Sequence, residues 1–208
     1  MALKRIEAIA SLVPNDAFVL DIGTDHAYLP IYLIKNNIAK YVYASDVAEG
    51  AINQAISNIN KYGLNDKIKP FLTDGIKNIP RDYDVITISG MGTETIKQIL
   101  NNNLFLDTYI IQSNNDLYVL RKFFNKNGYK IEKEIIIHEG KIYYSIIKFV
   151  KGTQKLNNAE LHFGISYDKT YLNHLKTKFE SIMKTVPEDK NKGLKKDLEY
   201  INNLLKKC

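Results

Sequence analysis

Apolar positions along the first 150 residues switch repeatedly between two spacings. Leu3, Ile6, Ile9, Ala10 and Val13 recur every three or four residues, which predicts a helix over residues 2–12 that Pro14-Asn15-Asp16 ends. Residues 18–23 are a short apolar run, a strand, and residues 27–36 can form the helix after it. Residues 41–47 alternate β-formers. Residues 48–62 place Ile52, Ala55, Ile56 and Ile59 on one helical face, with Gly63 where a helix-closing glycine belongs. Strands are predicted at 68–72, 83–89 and 109–112, and helices at 93–101 and 116–127. Residues 83–89 are nearly all apolar, so that strand should be buried on both faces. Two β-rich runs, 129–138 and 141–150, flank Glu139-Gly140 and read as a hairpin.

Five strands alternating with helices mean a parallel sheet of α/β class, and the closing hairpin forces one antiparallel strand into it. After Lys151-Gly152-Thr153 the pattern changes. Tyr171, Leu172, Leu175, Phe179, Ile182, Met183 and Val186 keep helical spacing, Pro187-Glu188-Asp189 turns, and Leu194, Leu198, Ile201, Leu204 and Leu205 resume it. This predicts a short antiparallel helical pair, coiled-coil-like, as a second domain over 153–208 beside a first domain over 1–152.

Charge sharpens that division. The chain of 208 residues carries net +6. Residues 151–208 hold 12 Lys against 7 Asp and Glu, a net of +5, which leaves +1 for the rest. A near-neutral body with a basic arm fits a polyanionic partner; a lysine-rich solvated helix face explains the same count. No apolar run approaches the ~20 residues of a membrane span, and Lys4, Arg5 and Glu7 interrupt the N-terminal pattern where a signal peptide would be apolar. A cytoplasmic protein with no membrane partner is expected. The single cysteine, Cys208, rules out an intrachain disulfide and a cysteine-rich zinc site. His26, His138, His162 and His174 show no ligand spacing, so no metal is expected. Oligomeric state is open, with a monomer favoured.

Ligands of open α/β sheets bind at the carboxyl ends of the strands. Four consecutive strands here end in Asp21-Ile22-Gly23, Asp46-Val47, Asp74-Gly75 and Gly90-Met91-Gly92. One glycine after the first strand is not the glycine triplet of a dinucleotide binder, and Asp21 would repel a phosphate. The carboxylate suits a ligand bearing an amine and a sulfonium, which is S-adenosylmethionine. Asp46 follows Asp21 by 25 positions (46 − 21), near the ~20-residue gap expected for an acid on a ribose. Asp74 is placed to accept from an adenine amino group, and the Gly-Met-Gly turn leaves backbone room for the methyl end. Each feature alone is also ordinary strand-ending turn chemistry.

The run Asp21-Ile-Gly-Thr-Asp-His-Ala-Tyr-Leu-Pro30, then Ile88-Ser-Gly-Met-Gly92, then Ile111-Gln112 followed by an Asn pair, resembles the bacterial tRNA (adenine-22-N1) methyltransferase family over roughly the whole chain. The resemblance implies a Rossmann-like class I methyltransferase fold, with a seven-stranded, mainly parallel sheet and a small C-terminal helical domain. It implies S-adenosylmethionine as donor and N1 of adenine 22, in the D-loop of tRNA, as acceptor. Donor-binding residues would be Asp21, Gly23, Thr24, His26, Asp46, Val47, Asp74, Gly75 and Gly90. Asp25, His26, Tyr28 and Met91 would act at the acceptor, and residues 153–208 would hold tRNA. Thr93 and Ser113 depart from the family's pattern, where Gly and Pro are expected, so acceptor contacts carry over less directly than donor contacts. A non-catalytic RNA-binding protein on the same scaffold, and a methyltransferase for another substrate, are the competing readings.

Overall fold

The structure is a computed structural model that describes residues 3–101 and 104–208. Ala2, where the first helix was expected to begin, lies outside them. The chain divides into two compact units, 1–153 and 154–208.

In the first unit, strands and helices alternate. They are α1 (Leu3–Ala10), β1 (Ala17–Ile22), α2 (Tyr28–Lys35), β2 (Ala39–Asp46), α3 (Glu49–Lys61), β3 (Ile68–Leu72), β4 (Val85–Met91), α4 (Thr93–Leu100), β5 (Thr108–Ser113), α5 (Leu117–Lys126), β6 (Tyr129–Glu139) and β7 (Ile142–Lys151). They form one seven-stranded sheet in the order β3-β2-β1-β4-β5-β7-β6. Strands β1 to β5 are parallel, and β7 enters antiparallel between β5 and β6. Pro70, which has no N–H for a ladder, sits in β3 at the sheet edge, where a missing donor costs least.

The chain winds outward from β1 to β3 and then returns to β4 on the other side of β1. Neighbouring connections there leave in opposite directions, which opens a crevice beyond the strand ends. Apolar residues of α1 and α2 (Ile6, Ile9, Leu29, Leu33) pack with Val19, Val42 and Ile110 of the sheet and fix that frame. The β4–β5 pairing shifts register between Ser89 and Met91, with Gly90 at φ 80°. This bulge carries β4 to Met91, two residues past the predicted end at 89. Bulges of this kind re-aim a side chain next to a site.

The second unit contains α6 (Asn158–Phe163), α7 (Lys169–Met183), a 3-10 turn (Glu188–Lys190) and α8 (Lys192–Leu205). Helices α7 and α8 pack together, and Ala159, Phe163, Leu172, Ile201 and Leu204 form its buried core. Helix α6 was not expected from periodicity, because six residues hold too few apolar repeats. Its signal is the capping box: the Asn157 side chain accepts from Glu160 N–H, and the Glu160 carboxylate accepts from Asn157 N–H. Among the described residues, no helix is long and apolar enough to cross a membrane.

Candidate active site

A cleft of about 310 Å3 opens at the carboxyl ends of β1 to β4. Gly23, Asp46, Val47, Asp74, Gly75 and Met91 line it, so six of the residues expected from the strand ends come together. Ile22, Thr73, Ile76, Lys77, Thr95, Gln98 and Ile99 complete the wall. The α4 members were missed, although positions 95, 98 and 99 share one helical face directly after the Gly-Met-Gly turn.

The floor begins at the β1 turn. The N–H groups of Gly23 and Thr24 both donate to the Ser45 carbonyl, at 2.8 and 3.0 Å, tying the turn to the end of β2. Gly23 has φ 75°, and a Cβ built on it would collide with Met91 Cε. Glycine is therefore favoured by the left-handed backbone, and the flexible end of the Met91 side chain that lies across it would have to move aside for a Cβ. At Gly75, also left-handed, a Cβ would meet Ile99 at 3.2 Å.

Asp46 holds the next turn. Its carboxylate accepts from Ala48 N–H at 2.9 Å and from Asp25 N–H at 3.2 Å. Two carboxylate oxygens offer about four acceptor positions, so roughly two remain for a ligand's hydroxyl groups. Val47 beside it is 74 % exposed, an apolar surface available to a flat ring. Asp74 is engaged with Lys77 at 2.6 Å, both largely exposed, so an adenine amino group would have to share that carboxylate.

Asp21 does not line the cleft. It lies beneath it, 4 % exposed, and accepts from the Thr87 hydroxyl of β4 at 2.7 Å. Burial pushes its carboxyl up to about 6; the Thr87 and Thr24 hydroxyls oppose the shift, and the Asp46 charge adds to it. Thr24 is buried beside it.

Asp25 and Ala27 both adopt left-handed backbone, at φ 52° and 57°, and bracket His26. Such conformations persist where the surroundings hold them. Here Asn58 donates to the His26 carbonyl at 2.9 Å, and Asp46 takes Asp25 N–H. His26 Nε2 lies 3.4 Å from Asp25 Oδ1, and its ring stacks on Tyr28 at 5.2 Å and 26°. Tyr28 is 44 % exposed. These three side chains form an aromatic and acidic platform linked to the cleft through Asp46.

Gly90 does not line the cleft either. Its N–H donates to Gln112 Oε1 at 3.0 Å, and its carbonyl accepts from Asn114 Nδ2 at 2.7 Å. The two departures, Thr93 and Ser113, face each other with hydroxyl oxygens 2.9 Å apart. Among the described residues no group of three or more His, Cys, Asp or Glu is gathered as a metal set.

The family profile described as "Methyltransferase domain" matches residues 2–147. The tRNA (adenine(22)-N(1))-methyltransferase of Bacillus subtilis is 34 % identical over 69 % of this chain and 63 % of its own. The structure of M. capricolum TrmK with S-adenosyl-homocysteine has TM-score 0.85 at 31 % identity, over 98 % of this chain and 96 % of that one. The chain belongs to the tRNA (m1A22) methyltransferase family. A further member of its structural neighbourhood, Streptococcus pneumoniae Sp1610 in complex with S-adenosyl-L-methionine, has TM-score 0.89 at 31 % identity and covers 99 % of this chain and 100 % of that one.

Two predictions follow from the geometry. Gly23→Ala forces a Cβ into left-handed backbone and onto Met91. It should lower affinity for S-adenosylhomocysteine at least about tenfold and stability by about 1–2 kcal/mol, read by calorimetry and thermal melts; unchanged affinity would remove Gly23 from the site. Asp21 keeps a proton in the folded chain at pH values where the unfolded chain, near 3.8, has released it. Its contribution to stability is full below about pH 4 and is lost as pH rises through about 6. Asp21→Asn should therefore melt higher relative to wild type at pH 7 than at pH 4; parallel melting curves would contradict the buried acid.

Proposed function

We propose that this protein transfers a methyl group from S-adenosylmethionine to N1 of adenine 22 in tRNA. The observation that carries this is the cradle at Gly23: a glycine whose missing Cβ leaves room under Met91, beside a carboxylate, Asp46, with acceptor capacity to spare. The residues fit the cofactor. Asp46 would hold the ribose hydroxyls, Val47 and Ile99 the adenine faces, and Gly23 the amino-acid end. The acids Asp21 and Asp46 favour a cationic ligand over a phosphate. When bound, S-adenosylmethionine supplies an electrophilic methyl group on a sulfonium.

Adenine N1 carries its lone pair in the ring plane and needs no prior deprotonation. The chain's task is then positioning, with the acceptor nitrogen held in line at near-attack distance. Tyr28, backed by His26, offers a face for the target base, and Met91 packs at the methyl end. Asp25 supplies negative charge where the ring becomes cationic. N1 lies on the Watson–Crick edge, so the base must leave its stack to reach the platform. A tRNA substrate implies a cytoplasmic location.

Residues 153–208 would act as the tRNA arm. Lys192, Lys195 and Lys196 are exposed near the start of α8. Replacing all three by Gln should weaken tRNA binding, and reduce its dependence on salt, while leaving affinity for S-adenosylhomocysteine within about twofold. Equal loss of both, or of neither, would count against the arm.

The function itself is tested by mass-spectrometric nucleoside analysis of unmodified tRNA incubated with protein and donor. Wild type should yield 1-methyladenosine, absent when position 22 is not adenine, and Asp46→Ala should lower the yield at limiting donor about tenfold or more. Donor binding without product would favour the non-catalytic scaffold, and product on another substrate the other enzymatic reading.

A further inference from the structure

We propose that Thr93 and Ser113 are positioning residues whose buried hydroxyls close a hydrogen-bond circuit through Asn115 and hold the Gly90–Gly92 turn, and with it Met91, at the methyl-transfer end of the cleft. This role rests on reading the cleft as the donor site.

A hydroxyl has one hydrogen to give and two lone pairs with which to receive. Thr93 Oγ1 lies 2.7 Å from the Asn115 carbonyl, closer than the 3.4 Å to that of Asp116. The two hydroxyls meet at 2.9 Å, and Ser113 Oγ also lies 2.9 Å from the Asn115 carbonyl and 3.3 Å from that of Met91. Ser113 in turn accepts from Asn115 N–H at 3.3 Å. Asn115 N–H, the Ser113 and Thr93 hydroxyls and the Asn115 carbonyl thus close one ring of hydrogen bonds. Thr93 N–H adds a third hold, on Asn115 Oδ1 at 2.9 Å. Both hydroxyl-bearing residues are buried, so water does not substitute for these bonds cheaply.

What the circuit seats is the neighbouring Asn114. Its N–H donates to the Met91 carbonyl at 2.9 Å and its side chain to the Gly90 carbonyl at 2.7 Å. Met91 is thereby held from behind while its side chain lies across Gly23. Gly90 and Gly92 bring no side chains that could fix the turn by packing. A Cβ built on Gly90 would meet nothing within 4 Å. The turn's conformation depends on these hydrogen bonds instead.

The two hydroxyls are not equivalent. Without Thr93's hydroxyl, Ser113 can turn its hydrogen to the Asn115 carbonyl, 2.9 Å away. Without Ser113's hydroxyl, Asn115 N–H loses its partner outright. Ser113→Ala should therefore do more damage than Thr93→Val, and the double variant little more than Ser113→Ala alone.

The test compares wild type with Thr93→Val, Ser113→Ala, the double variant and Thr93→Ser, all as full chains. Three quantities are read: hydrogen–deuterium exchange at Asn115 in the free protein, affinity for S-adenosylhomocysteine, and single-turnover methylation of tRNA at saturating donor. Ser113→Ala should speed exchange at Asn115 about tenfold and slow methyl transfer about tenfold, with donor affinity within about twofold. Thr93→Ser, which keeps the circuit, should stay within about twofold of wild type in all three. A double variant that transfers methyl as fast as wild type, or a rate loss matched by equal loss of donor affinity, would overturn the role. If wild type itself transfers no methyl group to tRNA, the functional reading falls, and unchanged Asn115 exchange in the double variant would separately overturn the circuit.

Discussion

The rim of the sheet depends on one carbonyl. Ser45 C=O, at the end of β2, receives two N–H groups from the turn that follows β1, those of Gly23 and Thr24. That shared acceptor bends the chain away from the sheet just where the neighbouring connections diverge. The bend presents Gly23 face-up to Met91 and brings Asp25 N–H to the Asp46 carboxylate. Backbone hydrogen bonds of this kind are individually modest, but none can be replaced by solvent once the turn is packed.

Charge is arranged in two layers around that bend. Asp46 sits at the surface of the cleft with acceptor positions open. Asp21 sits below, cut off from water, its carboxyl pushed up to about 6 and held by Thr87 from β4. A cation arriving above would draw the lower acid toward its ionised form, so the pair responds to a sulfonium in a way that it cannot respond to a phosphate. The Asp21–Thr87 bond also spans the switch point between β1 and β4, joining the two strands whose connections part there.

Much of this was legible in the chain. Alternating strand and helix spacing, with acids or glycines closing each of four strands, was enough to place Gly23, Asp46, Asp74, Gly75 and Met91 on one cleft. Depth was not legible. In a parallel strand buried on both faces, apolar alternation does not say which way Asp21 points, and it points under the site rather than into it. The Asp74–Lys77 pair is local, three residues apart, yet nothing in the spacing says that the two side chains meet. The Thr93–Ser113 contact spans 20 residues and two strand ends, and it exists because a bulge at Gly90 carries β4 past its expected end. Read singly, each looked like a departure from the family; in space they are partners.

The cleft between Asp46 and Met91 should hold the methyl donor, and a crystal structure of the protein with S-adenosylhomocysteine tests this directly. The ribose should lie on Asp46, with the amino-acid end running past Gly23 toward Met91. Density for the ligand anywhere else on the sheet, or an Asp46 carboxylate turned away from the ribose, would contradict it.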